Sequence, residues 1–283
     1  MDQSVDLARL RTGRLARLQA AMRARHVEAC LLFNEPNIRY ATGASAMPIW
    51  SNTTFVRCAL VPSEGRAILF EHPNSMHLFR GFEAEVRPMH AWEFYDDTEL
   101  HAKAFARETV AALRELGVTG PRLAVDRLGT PGFLALQREG IALSDSAPVT
   151  TAAREVKTPE EIVLLEANGL ILMDMLADFE RAIAPGIREA DRAPRFPAKF
   201  MPRRYEVMIH GIGLEEESPS VAYPGDAQPN GDRVLQENMA LVVELYCGEV
   251  GGRDGVKLGD QVVVTPGGVK DLVPYGYSAA LLH

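Results

Sequence analysis

Nothing in this 283-residue chain approaches the apolar length of a membrane-spanning helix, so a membrane partner is not expected. Cysteine is scarce. The three present, Cys30, Cys58 and Cys247, lie far apart in apolar, strand-like runs, which fits reduced and buried thiols better than a disulfide or zinc framework. Positive charge is in deficit too: 30 Lys and Arg stand against 38 Asp and Glu, a formal net charge of −8. The basic residues are scattered, and a chain without a basic stripe gives a phosphate backbone nothing to follow. Nucleic acid is therefore not an expected partner. The first 22 residues carry Asp2 and Asp6 and lack the uninterrupted apolar core of a secretory signal. This points to a cytoplasmic protein and deprives the acceptor pattern Asn52-Thr53-Thr54 of meaning. No glycine-rich loop precedes Lys157-Thr158, so that pair reads as the start of a helix and not as a phosphate cradle.

What is present is the make-up of a soluble globular chain, 47% hydrophobic and 24% charged, long enough for one large or two ordinary domains. Leu7, Leu10, Leu15, Leu18 and Met22 recur at helical spacing with arginines between them, which predicts an amphipathic helix over residues 5–25. Apolar Ala29–Phe33 follows, then a helical or turn stretch through Asn37-Ile38-Arg39-Tyr40. Thr54–Val61 and Ala67–Glu71, joined at Gly65, read as a hairpin. A short helix near Ser75–Phe79, a strand at Glu83–Pro88, a helix at Glu99–Leu116, a strand at Leu123–Asp126 and a helix after Thr130-Pro131 complete the alternation. Helices interleaved with strands argue for an α/β layer structure, and the Ser-, Thr- and Pro-rich stretch Ser144–Thr151 is the expected boundary.

The second half opens on Thr158-Pro159-Glu160-Glu161, a capping box with proline at the first helical position. Ile162, Leu165, Leu172, Leu176, Phe179 and Ile183 continue at helical spacing until Pro185-Gly186. An apolar run, Val207-Met208-Ile209, then leads to His210-Gly211-Ile212-Gly213-Leu214-Glu215-Glu216-Glu217, where two glycines let the backbone turn and three carboxylates follow. Glu244 interrupts Ala240–Tyr246, which otherwise reads as a buried strand; a carboxylate there needs a partner, and a metal ion is one adequate answer. Val256–Leu258 and Gln261–Thr265 read as a hairpin preceded by Arg253 and Asp254. His72, His77, His90 and His101 share no metal-ligand spacing. Trp50, Trp92, Phe94 and Tyr95 read as ordinary packing or as the mouth of a site.

Asn37–Gly43, Arg154–Ile162, His210–Leu214, Glu244 and Gly255–Val262 occur in that order across nearly the whole chain, and together they resemble the landmarks of the pita-bread superfamily. That superfamily includes creatinase, aminopeptidase P, prolidase and methionine aminopeptidase. The resemblance implies an α/β (α+β) protein: a creatinase-type N-terminal domain, residues 1–150, followed by a pita-bread domain, residues 151–283. It also implies a homodimer, a divalent metal (manganese, iron, zinc or cobalt), and a small-molecule or short-peptide substrate. His210 matches the metal-binding histidine and Glu244 the first metal-binding glutamate. Glu216, six positions after His210, together with Gly251–Leu258, is similar to the branch containing the iron-dependent dimethylsulfoniopropionate lyase, which implies a general base at Glu216.

The same resemblance implies ligands that the sequence does not supply. A second glutamate would fall at Gly259, and two aspartates would lie between the long helix and His210, where the only acids after Gly186 are Glu189, Asp191 and Glu206. Where the peptidases carry a second histidine after the Gly-Ile-Gly-Leu run, this chain offers Glu216 and Glu217. The expectation is a chain joined across the two similar helix-stop stretches of an internally duplicated domain, with most of the first half gone. Three readings remain open: a metallohydrolase of Xaa-Pro peptidase type with impaired or absent catalysis, an iron-dependent lyase-like enzyme, and a non-catalytic dimerising or binding remnant. The remaining strands are expected to expose an edge and an apolar face, favouring dimerisation or aggregation.

Overall fold

A computed structural model describes residues 6–45, 54–79, 84–93, 96–167, 207–222, 234–248 and 255–276. It divides into a unit of Leu7–Arg154 and a unit beginning at Glu155. Within the first, helix α1 (Leu7–Ala24) buries Leu10, Leu18 and Met22 of the predicted stripe, while Leu15 is half-buried and Leu7, at the helix start, is exposed. Its buried Gln19 amide donates to the carbonyls of Pro62 and Gly65, fixing α1 to the turn between strands β2 (Cys58–Pro62) and β3 (Ile68–Glu71). Gly65 has φ +86°, a left-handed conformation that glycine adopts without penalty.

Strand β1 (Ala29–Leu32) pairs antiparallel with β2 and parallel with β5 (Arg122–Val125). Strand β4 (Glu85–Pro88) lies parallel to β3, and β6 (Ala142–Asp145) parallel to β5. The resulting six-stranded order is β4-β3-β2-β1-β5-β6. β1, β2 and β3 are buried throughout, apolar but for Glu71 at the end of β3. Helices α2 (Glu35–Thr42), α3 (Thr98–Glu115), α4 (Thr130–Arg138) and α5 (Ala147–Glu155) complete the unit. Residues 73–79 form a 3-10 helix. Trp92 is 3% exposed and packs with ring centroids 4.9 Å from Phe105 and 5.8 Å from Phe55, as a core residue. Trp50, Phe94 and Tyr95 lie outside the described residues. The stretch Ser144–Thr151 is no linker: it holds the end of β6 and the start of α5, and the division falls at Arg154. Local Ser, Thr and Pro content signalled a break, but a strand pairing and a helix both formed across it.

The second unit starts with the described part of a helix, residues 159–167, whose N-terminus is capped as its sequence predicts. Thr158 N–H donates to Glu161 Oε2 (2.8 Å) and Glu161 N–H donates to Thr158 Oγ1 (3.2 Å), the reciprocal pair of a capping box. The continuation to Pro185-Gly186 lies outside the described residues. Strands β7 (Val207–Ile212), β8 (Glu216–Ala222), β9 (Ala240–Gly248), β10 (Gly255–Thr265) and β11 (Gly268–Asp271) form an antiparallel sheet in the order β11-β10-β9-β7-β8. Two expectations are corrected. The hairpin read at 256–258 and 261–265 is one continuous strand, because Gly259 keeps ordinary backbone geometry and pairs with Glu244 in a long ladder with β9. Strand β8 begins within the acidic run, at Glu216, where a turn was expected, so among the described residues the sheet ends in β8 and β11.

Candidate active site

The two glycines after His210 are required by what folds against them. A Cβ on Gly211 would stand 2.2 Å from the Ser218 carbonyl oxygen, and one on Gly213 would stand 2.5 Å from a carboxylate oxygen of Glu217. A side chain at Gly211 would collide with the β8 backbone, whereas one at Gly213 would displace the Glu217 carboxylate. The pairing carries an irregularity between His210 and Gly211: Ile212 faces Glu216, Gly211 faces Glu217, and His210 faces Ser220. His210 is half-buried, with Nδ1 3.0 Å from the Gly211 carbonyl oxygen.

Register then decides which side chains share a face. β7 lies against β9 with His210 opposite Val242 and Ile209 opposite Val243. Directly paired residues lie on one face and neighbours along a strand alternate, so His210, Val242 and Glu244 share a face. The diagonal from His210 to Glu244 spans about 7–8 Å between Cα atoms, within reach of long side chains. Glu216 lies on this face as well, through its pairing with Ile212. The opposite face carries Ile209, Leu241 and Val243, packed with Met239, Val156, Val262 and Val264. Ala240 and Val263, on the His210 face, are covered by Ile162 and Leu165 of the helix. Glu244 is half-buried and not sealed in a core, as a charge in an apolar run had suggested. Its cross-strand partner Gly259 has no side chain, and a Cβ built there meets Glu244 Cγ at 3.5 Å, an ordinary contact.

Of the three consecutive acids, sequence reasoning singled out Glu216 and passed over the one that is buried. Glu215 and Glu216 are exposed, whereas the Glu217 side chain is 5% exposed and its Oε2 accepts from Lys157 Nζ at 2.7 Å. Lys157 is itself only 1% exposed and also donates to the Glu155 carbonyl at 3.3 Å. Glu217 Oε1 accepts from Leu214 N–H at 3.1 Å, and Gly213 N–H donates to the Glu215 carbonyl, which together close the turn. The signal for this pair was Lys157 itself, a cation just ahead of a capped apolar helix.

The landmark residues of the first unit form a separate network. Asp126, at the end of β5, accepts from Phe33 N–H (2.8 Å), Asn34 N–H (3.1 Å) and Asn37 Nδ2 (2.9 Å) at the start of α2. Burial pushes its carboxyl above the usual aspartate range despite these bonds. Asn37 Oδ1 accepts from buried Arg154 at 2.8 Å, and the Tyr40 hydroxyl donates to the Ala153 carbonyl at 2.7 Å. Elsewhere, Arg57 is 2% exposed between Glu35 (2.8 Å) and Glu71. Its Nε stands 2.9 Å from Glu71 Oε2, an ion-pair distance at an angle too poor for a hydrogen bond. Burial raises the Glu71 carboxyl, with Arg57 opposing the shift. Cys30 and Cys58 are free and buried, and burial pushes the Cys30 thiol up to about 12; the Cys247 side chain lies outside the described residues.

Two hard divalent ions sharing a hydrolytic centre need more oxygen and imidazole donors than His210, Glu244 and Glu216 provide. Among the described residues no three His, Cys, Asp or Glu side chains are grouped so as to hold a metal ion. Among the described residues, the donors gathered on this face are too few for a dinuclear centre.

Residues 14–156 match the creatinase/prolidase N-terminal domain family and residues 177–266 match metallopeptidase family M24. The chain belongs to this creatinase/prolidase family and has the pita-bread fold. It is 25% identical to the dimethylsulfoniopropionate lyase DddP of Roseovarius nubinhibens and 26% identical to that of Roseobacter denitrificans, each match covering 98% of this chain and 88% of the relative. Both matches run over 395 positions against a chain of 283 residues, so over a hundred positions interior to the match have no counterpart here. The fold is similar to a prolidase from Thermococcus sibiricus (TM-score 0.69, 16% identity, 97% of this chain and 99% of that one). It is also similar to a dipeptidase from Pyrococcus horikoshii (TM-score 0.68, 13% identity, 93% and 98%). No helix among the described residues is long and apolar enough to cross a membrane.

Proposed function

We propose that this chain is a family M24 relative whose metal-dependent catalysis is impaired or lost. The observation that carries the reading is Gly259 opposite Glu244, on the face that also holds His210: the position expected to supply a second glutamate has no side chain. The missing interior positions relative to the lyases support it, and we place them between Pro185 and His210. A homodimer in the cytoplasm, and a small-molecule or short-peptide substrate for any residual activity, belong to the same proposal. Metal analysis of the purified chain with an Xaa-Pro dipeptide assay tests it. About two divalent ions per chain with peptide cleavage would overturn the reading. Sequencing the locus across codons 184 to 205 in independent isolates tests the gap; a longer frame with the missing strands would make it an artefact.

A second reading is favoured by the two lyase relatives together with Glu216 on the His210 face. There Glu216 acts as the base of a β-elimination beside iron. Bound iron with release of dimethyl sulfide from dimethylsulfoniopropionate, abolished by Glu216→Gln, supports that reading over the first.

A further inference from the structure

We infer that Lys157 is a positioning residue that selects the register of β8 on β7, and so selects Glu216, out of three adjacent acids, for the face shared by His210 and Glu244. A strand's side-chain period is two residues, so a slip of one residue exchanges its faces. Glu215, Glu216 and Glu217 give such a slip little local penalty, since an acid stands at each position. The register observed puts Glu217 opposite Gly211, on the face away from His210, and there Lys157 Nζ reaches it at 2.7 Å with both side chains almost fully buried. A buried ammonium without a carboxylate is costly, so Lys157 disfavours the slip that would set Ser218 opposite Gly211, and the turn decides between Glu217 and Glu216. Gly213 leaves room for that carboxylate, and Leu214 N–H binds its second oxygen, so the turn and the ion pair specify one register together.

The inference rests on Glu216 being the site-face acid of the proposed function, but its test reads strand register whether or not the chain catalyses anything. Carboxylates of the full-length protein are labelled with a carbodiimide and glycine ethyl ester, and the sites are read by mass spectrometry alongside amide hydrogen exchange. In the parent, Glu216 labels and Glu217 is protected. In Glu217→Leu, Lys157 recruits the neighbouring acid: Glu216 labelling falls at least fivefold while β8 amides stay protected. In Lys157→Met/Glu217→Leu, an apolar pair replaces the ions and Glu216 labelling returns to the parent rate. Should Glu217→Leu fail to fold, Lys157→Met serves, with Glu217 labelling rising at least fivefold and β8 amides still protected. Unchanged Glu216 labelling in Glu217→Leu, or loss of amide and carboxylate protection together in either single variant, would overturn the inference.

Discussion

At the scale of single residues, Gly259 is the position at which the proposed loss of metal binding is most directly tested. Its backbone is regular and a Cβ there meets Glu244 at ordinary contact distance, so the position accepts a side chain's first atom. Gly259→Glu is expected to raise affinity for manganese or zinc on the order of tenfold in titration calorimetry, a size typical of restoring a ligand-shell partner. His210→Ala in that background removes the gain. Glu71 offers a second test. Its folded carboxyl lies above the unfolded value because of burial, so its stabilising contribution is full below the unfolded pKa and is lost as pH rises through the folded one. Urea midpoints of the parent are expected to fall as pH rises from about 4, the ordinary glutamate value, through that raised value. Glu71→Gln flattens this part of the profile, and an unchanged slope would show that the group does not titrate there.

At the scale of elements, the landmark motifs act as anchors, each by a different physical route. The capping box fixes where the helix at 159–167 starts, and Asp126 holds the start of α2 to the end of β5. Asn37→Ala leaves Arg154 and Asp126 each short of a buried partner, with an expected loss of about 2–3 kcal/mol in urea unfolding. Tyr40→Phe removes one buried hydroxyl bond and costs about 1 kcal/mol. Most helices and strands of the first unit were legible from apolar spacing, because β1, β2 and β3, and α1 apart from Leu7, bury the apolar side chains their patterns mark wholly or in part. β8 was not legible: Glu215 to Glu217 read as a solvated turn, and nothing local shows that Lys157, sixty positions earlier, neutralises one of them. β10 was misread for the converse reason, since Gly259-Asp260 has the composition of a turn but the ladder of β9.

For the whole molecule, the sheet of the second unit ends, among the described residues, in β8 and β11, and β11 is exposed along its length, with Val269 63% exposed. Exposed edges of this kind invite pairing with another chain. Light scattering is expected to return a mass of twice 31.1 kDa or larger. A sharp thermal transition from a well-behaved monomer would contradict the dimer proposal.

Sequence by itself determined the family, the α/β character of the first half, the helix cap at Thr158 and the presence of His210 and Glu244, because each depends on spacing or composition within a short window. Tertiary structure decided which of them meet. Strand register put His210, Glu216 and Glu244 on one face and Glu217 on the other, and register is set by pairings between residues tens of positions apart. It also sets Gly259 directly opposite Glu244.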